Sequence, residues 1–184
     1  TECFDLPQNA RVLDYCAGGG GKVLAMAAVS DAKFFAYDFA PARMQDLPAR
    51  AARADTKITI LAEHDIPKHG PYDLVFCDVP CSGSGAWRRS PASKWDLTPQ
   101  RLVELQKFQA DILLRTANLV APGGLLVYAT CSILKCENED QVSSFIAKTP
   151  TFEEQNTAVF SPVLGADGMF VSILKKIQPT LYST

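Results

Sequence analysis

The sequence predicts an α/β fold in which a mostly parallel, seven-stranded sheet carries helices on both faces. Short apolar runs alternate along the chain with amphipathic segments of helical period, which is the pattern of strands and crossover helices. Four consecutive glycines, Gly18 to Gly21, follow the first apolar run and open the first helical segment. With 184 residues, of which 47% are hydrophobic, the chain can bury the core of one domain. We therefore expect residues 1–184 to form a single α/β domain.

The strands are predicted from the apolar runs and from the turn residues that bound them. They fall at Arg11–Tyr15, Lys33–Asp38, Ile58–Leu61, Tyr72–Asp78, Leu125–Ala129, Phe152–Asn156 and Phe170–Lys176. The last two are expected to close the sheet as a pair. Pro122-Gly123-Gly124 is expected to turn the chain into the fifth strand, because proline and glycine favour turns.

The helices are predicted between the strands. They fall at Gly21–Val29, Pro41–Ala54, Pro99–Leu119 and Glu137–Ala147. Pro41 suits a first helical turn, where its missing N–H would have no intrahelical partner. Thr98 can cap the third helix by accepting a hydrogen bond from a backbone N–H. Leu105, Ile112 and Leu113 share one face of that helix, so we expect it to pack on the sheet.

The glycine turn lies where open parallel sheets bind ligands, beyond the carboxyl end of the first strand. Glycine allows positive φ and a close approach of the backbone, so the turn can carry a nucleoside cofactor. A phosphate-binding P-loop is excluded, because Cys16 stands at its first glycine and Val23 follows Lys22 where serine or threonine is required. A dinucleotide motif matches Gly18 and Gly20, but Val23 occupies its third small position.

Two acids follow the next two strands. Asp38 ends the second predicted strand, where an acid can hold the ribose of a nucleoside cofactor. Its charge could instead stabilise the start of the helix at Pro41. Asp65 follows the third strand and is either a cofactor contact or a solvated loop acid.

Two thiols follow the fourth and fifth strands. The fourth strand leads into Asp78-Val79-Pro80-Cys81, and the fifth leads into Thr130-Cys131. Neighbouring strands lie about 5 Å apart, so both thiols and the acid are expected to converge on one cleft. One buried cysteine at a strand end needs no function. Two beside an acid favour a catalytic pair, although spacing alone does not choose the nucleophile.

The composition argues against several other classes of protein. The six cysteines form no CxxC pair and the two histidines lie apart from them, so we predict reduced thiols and no metal site. A formal net charge of −2 gives no global attraction to nucleic acid. Neither a signal peptide nor a transmembrane helix is visible, which leads us to expect a cytoplasmic protein without membrane contact.

These motifs together resemble those of the Sun/RsmB-type RNA (cytosine-5) methyltransferases, from about Asn9 to Lys176. Asp14–Lys22 is similar to the first family motif, Asp78–Gly85 to the fourth, and Thr130-Cys131-Ser132 to the sixth. The two cysteine motifs in combination are specific, whereas the glycine turn alone is not. The resemblance implies a Rossmann-like class I S-adenosylmethionine-dependent fold, with RNA, chiefly ribosomal RNA, as the partner.

The same resemblance implies a role for each site residue. S-adenosylmethionine would be surrounded by Cys16, Ala17, Gly18, Gly19, Gly20, Gly21, Lys22, Asp38, Arg43, Asp65 and Asp78. Cys131 would be the nucleophile, and Cys81 would assist release of the product. A thiolate that adds to carbon 6 of cytosine makes carbon 5 able to attack a methyl sulfonium. Asp78 would polarise the base by neutralising charge on ring nitrogen 3.

Two features depart from the family pattern. Gly18-Gly19 stand where the family usually has Ala-Pro, so the turn lacks the rigidity of proline. Family members usually carry an N-terminal RNA-binding region that this sequence lacks. We therefore expect the chain to be a fragment that contains the catalytic domain.

A basic loop is the remaining candidate for RNA contact. Arg88, Arg89 and Lys94 lie between or beside Trp87 and Trp95, a mixture suited to phosphate pairing and base stacking. The alternative is a surface loop whose aromatic side chains pack inward.

Two other functions remain open at the level of sequence. A nicotinamide-dependent oxidoreductase would use the glycine turn and Asp38, but it leaves Cys81 and Cys131 without a role. A non-catalytic Rossmann-like interaction domain would require both thiols to be packing residues.

Overall fold

The structure, a computed structural model, describes residues 6–164 and 166–177. Its strands are β1 (Arg11–Asp14), β2 (Lys33–Ala36), β3 (Ile58–Ile60), β4 (Tyr72–Asp78), β5 (Val120–Thr130), β6 (Phe152–Phe160) and β7 (Met169–Lys176). They form one seven-stranded sheet in the order β3-β2-β1-β4-β5-β7-β6. The first five strands pair in parallel, and β7 runs antiparallel to both β5 and β6. The predicted mostly parallel α/β sheet is confirmed.

The helices cover both faces of this sheet. They are α1 (Gly21–Ala27), α2 (Leu47–Arg53), α3 (Ile66–His69), α4 (Ser93–Asp96), α5 (Pro99–Ala117) and α6 (Glu139–Lys148). Alternate strand residues point to opposite faces. Leu13 accordingly joins the core that contains α5 and α6, whereas Val12 joins the core that contains α1 and α2. As predicted, the Thr98 hydroxyl caps α5 by accepting a bond from the Arg101 N–H.

The helix predicted at Pro41–Ala54 is divided in two. A 3-10 turn covers Pro41–Met44, and α2 begins only at Leu47. Pro48 explains the break, because in a continuous helix its ring would collide with the carbonyl of Met44 and its nitrogen could donate no bond. Pro48 instead lies in the first turn of α2, where proline is tolerated.

The fifth strand is longer than predicted. It begins at Val120, and Pro122-Gly123-Gly124, predicted as the turn before it, lies within it. The pairing with β4 jumps from Tyr72 opposite Val120 to Leu74 opposite Leu125, so these residues bulge out of register. Gly123 has φ of 78°, a left-handed conformation that glycine adopts without steric cost. β6 also extends to Phe160 rather than ending at Asn156.

Candidate active site

The glycine turn connects β1 to α1 at the carboxyl edge of the sheet. Gly18 and Gly20 both have positive φ, of 50° and 78°. A Cβ on Gly20 would lie 2.2 Å from Cδ1 of Leu47, so α2 packs directly against the turn. The close packing and the left-handed backbone together require glycine at this position.

Asp38 fixes the shape of this turn. Its side chain is fully buried just beyond β2. One carboxylate oxygen accepts bonds from the N–H of Gly18 at 2.8 Å and pairs with Arg43 at 3.3 Å, while the other accepts from the N–H of Ala40 at 2.9 Å. A carboxylate offers about four lone-pair sites, so it can still accept from a ribose hydroxyl. Asp38 therefore both shapes the turn and remains able to bind a nucleoside.

Two arginines fill the space opened by the departure at Gly18-Gly19. A Cβ on Gly18 would lie 3.2 Å from Nη2 of Arg43, and one on Gly19 would lie 3.0 Å from Nη1 of Arg50. Arg50 also donates a hydrogen bond to the Gly19 carbonyl. Arg50 was not among the site residues predicted from the sequence. In this chain, guanidinium groups occupy positions where Ala and Pro side chains would stand.

Lys22, in the first turn of α1, meets Asp78, the last residue of β4. Lys22 Nζ donates to Asp78 Oδ2 at 2.5 Å, and both side chains are partly exposed. Asp14, the last residue of β1, lies beneath this pair with 1% of its surface exposed. The buried Oδ1 atom of Asp14 has no hydrogen-bond partner among the described residues. Burial and, secondarily, the charge of Asp78 raise the pKa of Asp14 to about 7.

The glycine turn together with Asp14, Asp38, Lys22 and Asp78 forms a group that we call the cradle. The unpartnered oxygen of Asp14 indicates whether this cradle fits the expected cofactor. A buried acceptor without a donor is costly unless a ligand supplies one. S-adenosylmethionine carries an ammonium group, a sulfonium and ribose hydroxyls, which suit a cradle that holds Asp14, Asp38 and Asp78. The donors and acceptors present are therefore compatible with this cofactor.

An aromatic surface borders the same cradle. Phe39, which follows Asp38, is 47% exposed and contacts Phe108 edge to face at 5.2 Å between ring centroids. The guanidinium of Arg43 lies 5.9 Å from the Phe39 ring. An exposed ring beside Asp38 offers an apolar face on which a nucleobase can stack. Phe39, like Arg50, was not among the site residues predicted from the sequence.

The two predicted thiols meet at the same edge of the sheet. β4 and β5 are parallel neighbours, with Asp78 opposite Ala129, so the residues that follow them converge. Cys81 Sγ lies 3.3 Å from Cys131 Sγ, within hydrogen-bond distance, and both residues are half-buried. All five cysteines in residues 6–164 and 166–177 are free thiols.

The contact between the two thiols shifts their pKa values in opposite directions. The pKa of Cys131 is lowered to about 7, chiefly by the hydrogen bond from Cys81 and to a smaller extent by the charge of Lys22, while burial and the charge of Asp78 oppose this shift. The same hydrogen bond and burial raise the pKa of Cys81. Burial also raises the pKa of Cys16 and of Cys77. Of the pair, Cys131 is thus the thiol best able to carry negative charge near neutral pH.

This difference predicts the pH dependence of thiol alkylation. With a pKa of about 7, half of Cys131 is thiolate at about pH 7, so the rate of its alkylation by iodoacetamide should be half-maximal near that pH and should level off above it. The modified peptide can be quantified by mass spectrometry from about pH 5 to about pH 9. Buried Cys77 is the internal control and should remain unreacted. A rate for Cys131 that keeps rising through pH 9 would contradict the assignment.

Asp65 lies apart from the thiols, after β3. It ends a 3-10 turn and pairs with Lys68 at 2.7 Å and with His64 at 3.4 Å. The hydrogen bond from Lys68 lowers its pKa. Its side chain remains one-third exposed. The structure thus places Asp65 at the carboxyl edge, on the far side of β2 from the glycine turn.

The basic loop faces outward beside the thiol loops. Arg89 donates two hydrogen bonds to the carboxylate of Asp167. Asp167 lies far from this loop in the sequence, so its position here was not predicted. Lys94 lies over both tryptophan rings, 5.8 Å from Trp87 and 5.7 Å from Trp95. Trp95 is 83% exposed. Arg88 is also exposed, so this loop presents cations and an aromatic surface to solvent.

Comparisons with known proteins agree with this arrangement. The sequence profile of the family described as 16S rRNA methyltransferase RsmB/F matches residues 2–179. Ribosomal RNA small subunit methyltransferase B of Klebsiella pneumoniae is 37% identical over 155 residues, which are 80% of this chain and 36% of that protein. The chain therefore spans little more than a third of this relative.

Solved structures share the fold. The crystal structure of PH0851 superposes with a TM-score of 0.85 at 29% identity, over 94% of this chain and 44% of that one. NSun6 from Pyrococcus horikoshii, solved with SFG, gives a TM-score of 0.79 at 20% identity, over 94% of this chain and 50% of that one. In residues 6–164 and 166–177, no helix has the length and apolar character needed to cross a bilayer. On its profile match and its identity to the Klebsiella enzyme, the chain belongs to the RsmB/F family of S-adenosylmethionine-dependent 16S rRNA methyltransferases.

Proposed function

We propose that residues 1–184 are the catalytic domain of a methyltransferase that modifies carbon 5 of cytosine in ribosomal RNA, in the cytoplasm. The observation that carries this proposal is the pair of thiols 3.3 Å apart, beside the ion pair of Lys22 and Asp78. Carbon 5 of cytosine is a weak nucleophile, and a thiolate at carbon 6 activates it. Methylation of an exocyclic nitrogen or of a ribose would give neither thiol a role.

The cofactor is assigned to the cradle around the glycine turn. Cys16, Ala17, Gly18, Gly19, Gly20, Gly21 and Lys22 would hold it from the turn, and Arg43, Asp38, Asp65 and Asp78 from the following strands. The unpartnered oxygen of Asp14 and the face of Phe39 add to this set. When bound, S-adenosylmethionine supplies the electrophilic methyl group that carbon 5 accepts.

Cys131 begins the reaction as the nucleophile. Its thiolate forms a bond to carbon 6, and the electron pair of the carbon 5–carbon 6 double bond shifts onto carbon 5 and is delocalised through carbon 4 to ring nitrogen 3. Lys22 donates a hydrogen bond to Asp78 at the same edge, and the proton of that bond can pass through the Asp78 carboxyl group to ring nitrogen 3 as charge develops there, and return when the carbon 6–sulfur bond breaks. Asp78 thereby polarises the base, and Lys22 keeps its carboxylate in place.

Cys81 serves the end of the reaction. After carbon 5 has gained its methyl group, a base must remove the carbon 5 proton, and the carbon 6–sulfur bond breaks as the double bond re-forms. The Cys81 sulfur lies 3.3 Å from the sulfur that leaves, so it can donate a hydrogen bond to that sulfur. Its raised pKa keeps the proton on Cys81 that this contact requires.

RNA contact is assigned to Arg88, Arg89 and Lys94. Trp95 is exposed beside Lys94 and is available to stack on an unpaired base. The target cytosine must leave any helix to reach the half-buried thiols, so a flipped or single-stranded base is required. With a net charge of −2, this chain needs further RNA-binding surface from elsewhere in the protein. Membership of a methyltransferase family removes the main support for the nicotinamide alternative.

The test is to identify the methylated nucleoside. The complete gene product is incubated with S-adenosylmethionine that carries a labelled methyl group and, in separate reactions, with small-subunit ribosomal RNA or with transfer RNA. Each RNA is then digested for mass spectrometry. We expect the label in 5-methylcytidine. Label in another nucleoside would disprove cytosine-5 chemistry, and label only in a different RNA would disprove the ribosomal assignment.

A further inference from the structure

We propose that Glu137 is a positioning residue that holds the loops after β4 and β5 together, so that the sulfur atoms of Cys81 and Cys131 face each other. Its catalytic consequence rests on the proposed function. Glu137 ends a short 3-10 turn before α6 and has none of its surface exposed. It touches neither sulfur in the hydrogen-bond network, so it acts through the residues beside them.

Four uncharged donors surround the Glu137 carboxylate. Oε1 accepts from the N–H of Ser82 at 2.9 Å and from Nε2 of Gln109 at 3.0 Å. Oε2 accepts from the hydroxyl groups of Ser82 at 2.5 Å and Ser132 at 2.6 Å. A buried carboxylate is tolerated only when such bonds replace its water. The Glu137 carboxylate therefore holds in place the segments that contain its donors Ser82, Gln109 and Ser132.

The donors flank the two cysteines on both loops. Ser82 follows Cys81 in the chain, and Ser132 follows Cys131. The loops meet at one carboxylate, which sets the distance between their backbones. Gln109 of α5 adds a second tie, because its Nε2 also donates to the Pro80 carbonyl at 3.0 Å, on the other side of Cys81.

We call the hydrogen bonds that Glu137 and Asn138 make to the two cysteine loops the brace. Asn138 contributes its part of the brace at the loop that contains Cys131. Its Nδ2 donates to the Ser132 carbonyl at 2.9 Å, and its Oδ1 accepts from the Thr130 hydroxyl at 2.6 Å. Thr130 and Ser132 lie on either side of Cys131. The Glu137 carbonyl is itself held by the Tyr128 hydroxyl at 2.6 Å. Residues 137 and 138 thus fix both flanks of the nucleophile from one buried point.

The strength of the brace follows from burial. Removing the carboxylate leaves buried donors without acceptors, so the loops must rearrange to find water or other partners. A displacement of about 1 Å in a reacting group can cost roughly 100-fold in rate. Glu137→Gln keeps one carbonyl oxygen for Ser82 and Gln109, and its amide can donate to the serine hydroxyls, which also accept. The amide should therefore preserve most of the geometry that alanine destroys.

The experiment measures the approach of the two sulfurs directly. Phenylarsine oxide binds tightly only where two thiols can bond to one arsenic atom, and its dissociation constant is measured for each folded variant by competition with a free dithiol. Cys81→Ser defines the loss of dithiol binding, and Asp140→Asn, a surface carboxylate in α6, is the matched control. The second arsenic–sulfur bond depends on the effective concentration of the second thiol, so we expect Glu137→Ala to bind roughly 100-fold more weakly and Glu137→Gln to stay within about tenfold of the parent protein.

The arsenical affinities of the variants decide the proposal. Glu137→Ala with the arsenical affinity of the parent would overturn the proposal. If that variant does not fold, Ser82→Ala combined with Ser132→Ala removes both hydroxyl ties, and an unchanged affinity there would overturn it equally. The readout needs no RNA. If the arsenical results are as expected but the parent forms no 5-methylcytidine, the brace stands and the proposed reaction fails.

Discussion

Cys131→Ala is expected to abolish methyl transfer and to form no covalent complex with RNA. Without the thiolate, carbon 5 never becomes nucleophilic, so the rate should fall by roughly 10⁴-fold or more. The structure adds a reason for choosing this thiol, because the hydrogen bond from Cys81 and the charge of Lys22 lower its pKa to about 7. Methyl transfer from labelled S-adenosylmethionine and a denaturing gel of enzyme with RNA measure the two effects.

Cys81→Ala is the matched variant, with a different expected result. If Cys81 serves release, one round of methylation should proceed, and the enzyme should then accumulate as a denaturation-resistant adduct with RNA. Loss of the hydrogen-bond donor should also raise the pKa of Cys131 and slow the first round. Adduct that accumulates in Cys131→Ala and never in Cys81→Ala would reverse the two roles.

The convergence of the thiols could be predicted from sequence because it depends on strand order alone. Parallel strands end at one edge, so the residues after β4 and β5 had to meet beside the glycine turn. Apolar runs of strand length and glycine at the turn are local features of the sequence. They can be recognised without knowledge of the fold. The same logic placed Asp38 and Asp78 at the edge where the structure has them.

The brace on the thiols could not be predicted in the same way. Glu137 has the pattern of an exposed acid at the start of a helix, and only the folding of three separate segments around it buries it. Arg50 and Asp167 are similar cases, since their partners Gly19 and Arg89 lie far away in the chain. Such pairings depend on tertiary contacts that periodicity does not contain. The break before α2 is different, because Pro48 was visible in the sequence and its effect on the helix was overlooked.

Gly85→Ala is expected to destabilise the protein strongly and to displace the loop that contains Cys131. Gly85 is buried, and a Cβ there would lie 2.1 Å from the carbonyl oxygen of Gly168 and 2.9 Å from that of Cys131. Both are backbone atoms, so no side-chain rotation relieves the collision. The N–H of Gly85 donates to the Cys131 carbonyl, and its own carbonyl accepts from Gly168, each at 2.9 Å. The added methyl group must therefore push the backbone of Gly85 away from the backbone of Gly168 and of Cys131.

Gly83→Ala is the control variant, because it changes the backbone preference of the same loop without causing a steric collision. Gly83 has φ of 68°, but a Cβ there would meet nothing within 4 Å, so its cost should be about 1 kcal/mol from the left-handed conformation alone. Overpacking at Gly85 should cost about 3 kcal/mol or more. For a chain of this size, that difference corresponds to a Tm lower by roughly 4 to 8 °C in Gly85→Ala than in Gly83→Ala. Thermal unfolding of both variants, with Cys131 alkylation as the local readout, tests the prediction. Equal Tm values would show that the loop yields without cost, and that the contact of Gly85 with Cys131 and Gly168 does not hold the nucleophile in place.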